Sequence, residues 1–208
     1  MAKSIRDPAA RARVVEAAWK VVADHGRDGA TFRAIAAEAG VSTGYVTHYF
    51  EDKDVLLQAV LRHNNEQAGA RVLGAAATAR GLSALRLAVD AILPLDRQRR
   101  REWQVWGAFW SAAPSDAMAR EGITAARQAM RDGLTAVLHQ AVEDGELAED
   151  LDLGYEGDRL LAVIAGVGLL SGLEPPVRVR ALAERAIADH LDHLTGRKPW
   201  LATSTSAR

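Results

Sequence analysis

The chain has 208 residues, a formal net charge of −1 and no cysteine, which excludes a disulfide framework and any Cys-based metal or redox site. Hydrophobic residues make up 49% and aromatics 5%; a sizeable core of alanine-rich amphipathic segments with few β-branched runs implies an all-α fold. No apolar h-region opens the chain, so no signal peptide and a cytoplasmic location are expected, and bulk charge alone does not announce a nucleic-acid partner, since residues 1–62 hold nine Lys/Arg against eight Asp/Glu.

Lys3, Arg6, Arg11 and Arg13 cluster near the N-terminus, where an arm can reach phosphates or a minor groove. Asp7 and Pro8 suit a cap and a first helical position. The helix they open runs to about His25, with Val14, Val15, Ala18, Trp19 and Val22 on one face. Trp19 reads as packing. Gly26 and Gly29 end this helix before the run TFRAIAAEAGVSTGYVTHYFEDK, Thr31 to Lys53. Thr31 is placed to cap a short helix with Phe32, Ile35 and Ala39 turned inward. Gly40 supplies the backbone freedom of a helix end, and Val41 reads as a buried plug. Ser42 caps a second short helix, Thr43 to about Phe50. Glu51 and Asp52 favour the start of a third. Two short helices joined by a tight Gly-containing turn form a helix-turn-helix.

A connector helix starts at Lys53 and runs to about Gly74. After a break near Ala79–Gly81, residues 82–93 form a helix that Pro94 stops. Asp96 caps the next, which contains Trp103, Val105, Trp106, Phe109 and Trp110, and Pro114 ends it. A further helix leads to Gly145 and the acidic loop GELAEDLDLG. Two more follow, roughly 155–173 and 177–194. The expected domains are residues 1–52, a helix-turn-helix DNA-binding head, and 53–195, for effector binding and dimerisation. The Ser/Thr-rich tail 196–208 is expected to be disordered.

The second short helix is the unusual one. Only Val46 and Phe50 are clearly apolar, four apart, while Thr43, Gly44, Tyr45, Thr47, His48 and Tyr49 remain for something else. Hydroxyls, an imidazole and a glycine suit base edges, phosphates and close backbone approach in a DNA groove. An ordinary solvated helix in a small bundle is the plainer reading, but it does not account for the caps, the turn and Lys53 occurring together.

This stretch resembles the TetR family of bacterial transcriptional regulators. Its DNA-binding pattern is matched by Thr31, Ile35, Ala36, Ala39, Gly40, Val41, Ser42, Gly44, Tyr49, Phe50, Lys53, Leu56 and Leu57. Many members have an aromatic where this chain has Thr47, and STGYVTHYFEDK is closer to the choline-responsive BetI-like subset. The resemblance implies a homodimeric DNA-binding regulator, a repressor released from double-stranded operator DNA by a small organic effector. An activator, an effector-independent DNA-binding protein, or a ligand-binding protein or enzyme with a vestigial head are the rival readings. The expected DNA-contacting residues are Thr31, Arg33, Ser42, Thr43, Gly44, Tyr45, Thr47, His48, Tyr49 and Lys53.

Trp103, Trp106 and Trp110 recur at three and four, with Phe109 beside them. Such a stripe packs a core; it can also line an effector pocket for a flat or cationic molecule, and the two are compatible. The family places its effector pocket between helices in this region. The choline-responsive form has an Asp-Gly-Leu-Trp-like run in the penultimate helix; here the stretch is Ala165-Gly166-Val167-Gly168-Leu169.

Residues 160–173, LLAVIAGVGLLSGL, contain Gly166-x-Gly168, but a dinucleotide fold is excluded by Ser171 at the third position and by the missing βαβ context. The run is also short for a membrane span, so no membrane partner is expected. Its small residues let helices approach closely. With the last helix it reads as a dimer interface: Gly166, Gly168, Leu169, Gly172, Leu182, Ala186 and Leu191. In the TetR family the last two helices form a four-helix bundle with a second subunit.

Arg97, Arg99, Arg100 and Arg101 read as a solvated basic face. His190 and His193, at i and i+3, have no evident third and fourth metal ligands. No catalytic motif is present. The chain is therefore expected to be no enzyme and to need neither cofactor nor metal.

Overall fold

The computed structural model describes residues 7–196, and among these all regular structure is helical. The elements are α1 (Pro8–Gly29), α2 (Phe32–Ala39), α3 (Thr43–Tyr49), α4 (Lys53–Ala76), α5 (Gly81–Ile92), α6 (Arg97–Ala112), α7 (Ala117–Glu143), α8 (Leu153–Leu170) and α9 (Pro176–Leu194). The Lys3 and Arg6 part of the basic arm and the tail from residue 197 lie outside the described residues.

Two compact units form. The first comprises Met1–Arg71 with Asp96–Ala129, the second Val72–Leu95 with Met130–Arg208. This differs from the chain-order division at residue 52. α6 belongs to the first unit, because its apolar side packs on α1.

In the first unit the expected caps are in place. The Asp7 carboxylate accepts from Ala9 N–H at 2.9 Å, Thr31 Oγ1 from Ala34 N–H at 3.2 Å, and Asp96 Oδ1 from Arg99 N–H at 2.8 Å. Each satisfies a backbone donor that has no partner within its helix. α1 does not stop at Gly26 but bends there: Gly26 has φ 68°, ψ −178°, and helical geometry resumes to Gly29. Only a residue without Cβ enters that region without strain. α2 closes on Gly40, φ 66°, with Val41 N–H bonded to Ala36 O at 2.9 Å. Val41 is half-buried rather than a plug, because its backbone, more than its side chain, makes the closure.

α4 is joined to α1 and α6 by a row of polar side chains. His63 Nε2 lies 3.0 Å from Glu16 Oε2. Asn64, fully buried, accepts from Trp19 Nε1 at 2.7 Å and donates to Glu102 O at 3.4 Å. Asn65 accepts from Trp106 Nε1 at 2.8 Å. Arg71 forms a two-pronged ion pair with the buried Glu102. Buried polar groups are tolerated when paired in this way.

In the second unit, Leu82 N–H donates to Glu146 Oε2 at 2.6 Å, and Arg80 pairs with Asp144 at 3.1 Å, fixing the start of α5. α7 and α8 cross closely at Gly157, where an added Cβ would lie 2.8 Å from Thr135 Oγ1. The acidic loop between them feeds α8, capped by Asp152 through Tyr155 N–H at 3.0 Å. Among the described residues no helix is long and apolar enough to cross a membrane.

Candidate nucleic-acid interface

α3 is held from beneath by two side chains, Val46 and Phe50, at 0% and 1% exposure. Ser42 Oγ accepts from Tyr45 N–H at 3.2 Å and starts the helix. Ser42, Thr43, Gly44, Thr47 and His48 are exposed, and Tyr45 and Tyr49 are half-buried. The outward face therefore consists of hydroxyls, an imidazole and bare backbone. A Cβ at Gly44 would find only Ser42 Oγ, 3.8 Å away. Among the described residues nothing crowds that position so as to require glycine.

The aromatic rings brace one another. Tyr45 and Tyr49 have centroids 5.2 Å apart, and His48 stands edge-on to Tyr49 at 5.0 Å. Desolvation, then the hydrogen bond with Tyr45, raises the Tyr49 phenol above its ordinary value. Thr47 Oγ1 donates to Gly44 O at 3.2 Å, so its methyl and lone pairs are what it offers outward. Arg13 Nη2 donates to Tyr45 OH at 3.4 Å, and the Arg11 guanidinium lies over Phe50, 4.5 Å from the ring centroid. These two arginines bring positive charge from α1 to the α3 face. Their sequence clustering hinted at this; the Arg13–Tyr45 bond, spanning 32 residues, has no local sequence signal.

Thr31 and Arg33 are exposed at the start of α2, and Lys53 is half-buried at the first position of α4. Asp52 Oδ1 accepts from Asp54 N–H at 2.7 Å beside it. The structure thus gathers most of the expected DNA-contacting set on α3 and at the starts of the two helices flanking it.

The indoles of α6 are placed differently. Trp103, Trp106 and Phe109 are buried in the first unit, and Trp110 is half-buried. Trp103 and Trp106 meet edge to face at 4.9 Å. Two cavities, of about 580 and 380 Å³, form without any indole in their walls. Within the basic run, Arg99 pairs with Asp96 at 2.8 Å and Arg101 with Asp24 at 2.6 Å, so these two are structural ties rather than parts of a solvated face.

On α8, α9 and the turn between them, Gly166, Leu169, Gly172 and Leu182 are exposed, and Ala186 and Leu191 are half-buried. Leu170, Leu173 and Val177 are exposed beside them. Gly168 differs from the expected set: it is buried within the protomer, because it lies on the opposite side of α8 from Gly166. His190 and His193 turn toward Glu156, with Nε2 atoms 3.8 and 3.5 Å from its oxygens, and Arg159 grips both carboxylate oxygens at 2.9 Å. Burial first, then the Arg159 charge, lowers the His190 pKa to about 4, against the pull of Glu156.

A family model described as bacterial regulatory proteins, tetR family, matches residues 14–60, and one described as BetI-type transcriptional repressor, C-terminal, matches residues 81–196. The chain belongs to the TetR family. The HTH-type transcriptional regulator BetI of Burkholderia ambifaria is 30% identical over 192 residues, 88% of this chain and 93% of that one. The regulator PksA of Bacillus subtilis is 29% identical over 198 residues, 93% and 94% of the two chains. A transcriptional regulator from Saccharomonospora viridis, crystallised in complex with choline, superposes with a TM-score of 0.82 at 25% identity, covering 90% of this chain and 97% of that one. One from Rhodococcus sp. Rha1 gives a TM-score of 0.74 at 30% identity, covering 89% and 97%. This TetR-family protein is a DNA-binding transcriptional regulator whose C-terminal part is of the BetI repressor type. Regulators of the family bind operator DNA and dimerise.

Proposed function

We propose that the protein is a homodimeric repressor, released from its operator by a small organic effector. The observation that carries this reading is α3: a short helix anchored at two buried points, with its polar face left uncovered by the described residues. In a dimer, two such helices enter successive major grooves, about 34–36 Å apart or a multiple of that spacing. Gly44 allows the backbone close to the DNA. Ser42, Thr43, Tyr45, Thr47 and His48 reach base edges or nearby phosphates. Thr31, Arg33, Tyr49 and Lys53 grip phosphates and set register.

The second subunit docks on the exposed apolar face of α8, α9 and the turn between them, where Leu169, Leu173 and Val177 are 40%, 84% and 73% exposed. An uncovered patch of that kind marks an interaction surface. The effector acts by binding more tightly to a dimer whose recognition helices are wrongly spaced. The choline-bound relative supports a small cationic organic molecule as its class. Of the indole stripe, Trp110 is the half-buried member, and its partial exposure supports it as the one to meet such a cation.

The test is titration of palindromic upstream DNA by fluorescence anisotropy at several salt concentrations. Lys53→Ala should weaken binding to all sequences and lower the salt slope by about 1. Thr47→Ala should change preference among operators. An unchanged slope in the Lys53 variant overturns the phosphate role; absence of any sequence-specific binding overturns the whole reading.

A further inference from the structure

The first unit has a polar cleft of about 580 Å³, bounded by the end of α1, the first turn of α4 and the corner between α6 and α7. Its size is that of a small-molecule site. Two of the charges in its walls already serve the fold. Arg27 pairs with Asp116 and lies over the Phe109 ring, 5.0 Å from the centroid. Asp116 in turn accepts from Ala119 N–H at 3.1 Å and so starts α7. The Arg27 hydrogen bond holds the Asp116 carboxyl below its ordinary value, so it stays charged. This pair ties the end of α1 to the start of α7 at that wall, and the bend at Gly26 shapes the wall beside it.

The remaining charges are uncommitted. Lys53, Asp28 and Asp54 line the cleft, and among the described residues none of their side chains has an ion-pair partner. Ser111 and Ser115 line it as well, and both hydroxyl protons are already donated, to Ala108 O at 3.0 Å and Ala112 O at 3.3 Å. What the serines offer a ligand is therefore acceptor lone pairs. Acceptors and negative charge outnumber the single ammonium. A matching ligand has one carboxylate, for Lys53, and more than one ammonium, for Asp28 and Asp54.

We infer that this cleft binds a small diamino carboxylic acid, of the ornithine or lysine class. The cleft uses the last turn of α6, through Ala108, Ser111 and Ala112, but none of its indoles lines it. A bound ligand engages Lys53 and competes with DNA for it, a consequence that rests on the phosphate role proposed above.

The test is isothermal titration of the full-length protein with L-ornithine and L-lysine, with 1,4-diaminobutane and L-glutamate as controls. Ornithine or lysine should bind at least about tenfold more tightly than either control. Ser111→Trp, an exposed position, should fill the cleft and abolish the heat. Asp28→Asn and Asp54→Asn, both at the surface, should each weaken binding by about tenfold, and they decide the matter if the Trp variant does not fold. Failure of both diamino acids to bind below about 10 mM, or binding unchanged in these variants, overturns the site. Saturating ligand should also lower operator affinity in the wild type but not in Lys53→Ala. If the ligand binds and operator affinity is unchanged, the site stands and the phosphate role of Lys53 falls.

Discussion

α3 and α6 are both helices of the first unit with aromatic side chains at spacings of three and four, yet they use them oppositely. On α6, Trp103 and Trp106 are buried, and the Trp106 N–H is bonded to Asn65. On α3, Tyr45 and Tyr49 brace each other at the surface, and the helix is held down only by Val46 and Phe50. What separates them is a covering partner. α6 has α1 and the polar row of α4 against it; among the described residues nothing covers the outer face of α3. Aromatic spacing by itself does not distinguish a core from a binding surface.

The sharpest way to test the contrast is to cut one aromatic from each helix. Trp106→Ala should cost about 3–5 kcal/mol of stability, the range for emptying a buried aromatic site. Tyr45→Phe should leave the denaturation midpoint nearly unmoved while weakening operator binding. A small loss for the tryptophan, measured by urea denaturation, would remove α6 from the core.

A next probe is the polar row behind α6. Asn64→Leu leaves the Trp19 N–H without its acceptor and should cost about 1–3 kcal/mol. Equal stability of variant and wild type would mean that water replaces the amide.

The second unit supplies a pH test that the head does not share. His190 has a folded-state pKa of about 4, below the value of about 6.5 for an exposed histidine. The unfolded chain therefore binds more protons between those values, and stability is full above about pH 6.5 and is lost as pH falls towards 4. The loss should be on the order of 1–2 kcal/mol after solvent screening. His190→Gln should flatten that part of the stability–pH curve; an unchanged slope would show that another group titrates.

The smallest effect on folding belongs to the recognition helix. Gly44→Ala should change stability by no more than about 1 kcal/mol, and in the stabilising direction. Operator affinity should nevertheless fall by about tenfold, because the added methyl stands where the DNA comes close. Undiminished affinity would remove Gly44 from the interface.

These contrasts also mark what was legible in the sequence. Asp7, Thr31, Ser42 and Asp96 are local caps, and a cap needs only the backbone two or three residues on, so the helix starts could be read directly. The exposed face of α3 followed from the narrow Val46–Phe50 stripe. The membership of α6 in the first unit could not be read, because it depends on partners such as Asn64 and Asn65, which lie far back in the chain. Gly168 and Val41 show the same limit on a smaller scale. Each has the right residue type for its expected role, but which way a position faces is decided by the neighbouring helix.

The row of His63, Asn64, Asn65 and Arg71 has a mechanical consequence. Four successive ties key α4 to its neighbours like teeth on a shaft. A slide of one helical turn, about 5.4 Å, exceeds hydrogen-bond reach and would break all of them together. α4 holds its register until the whole set lets go, which makes it a component with a threshold and not one with a graded response.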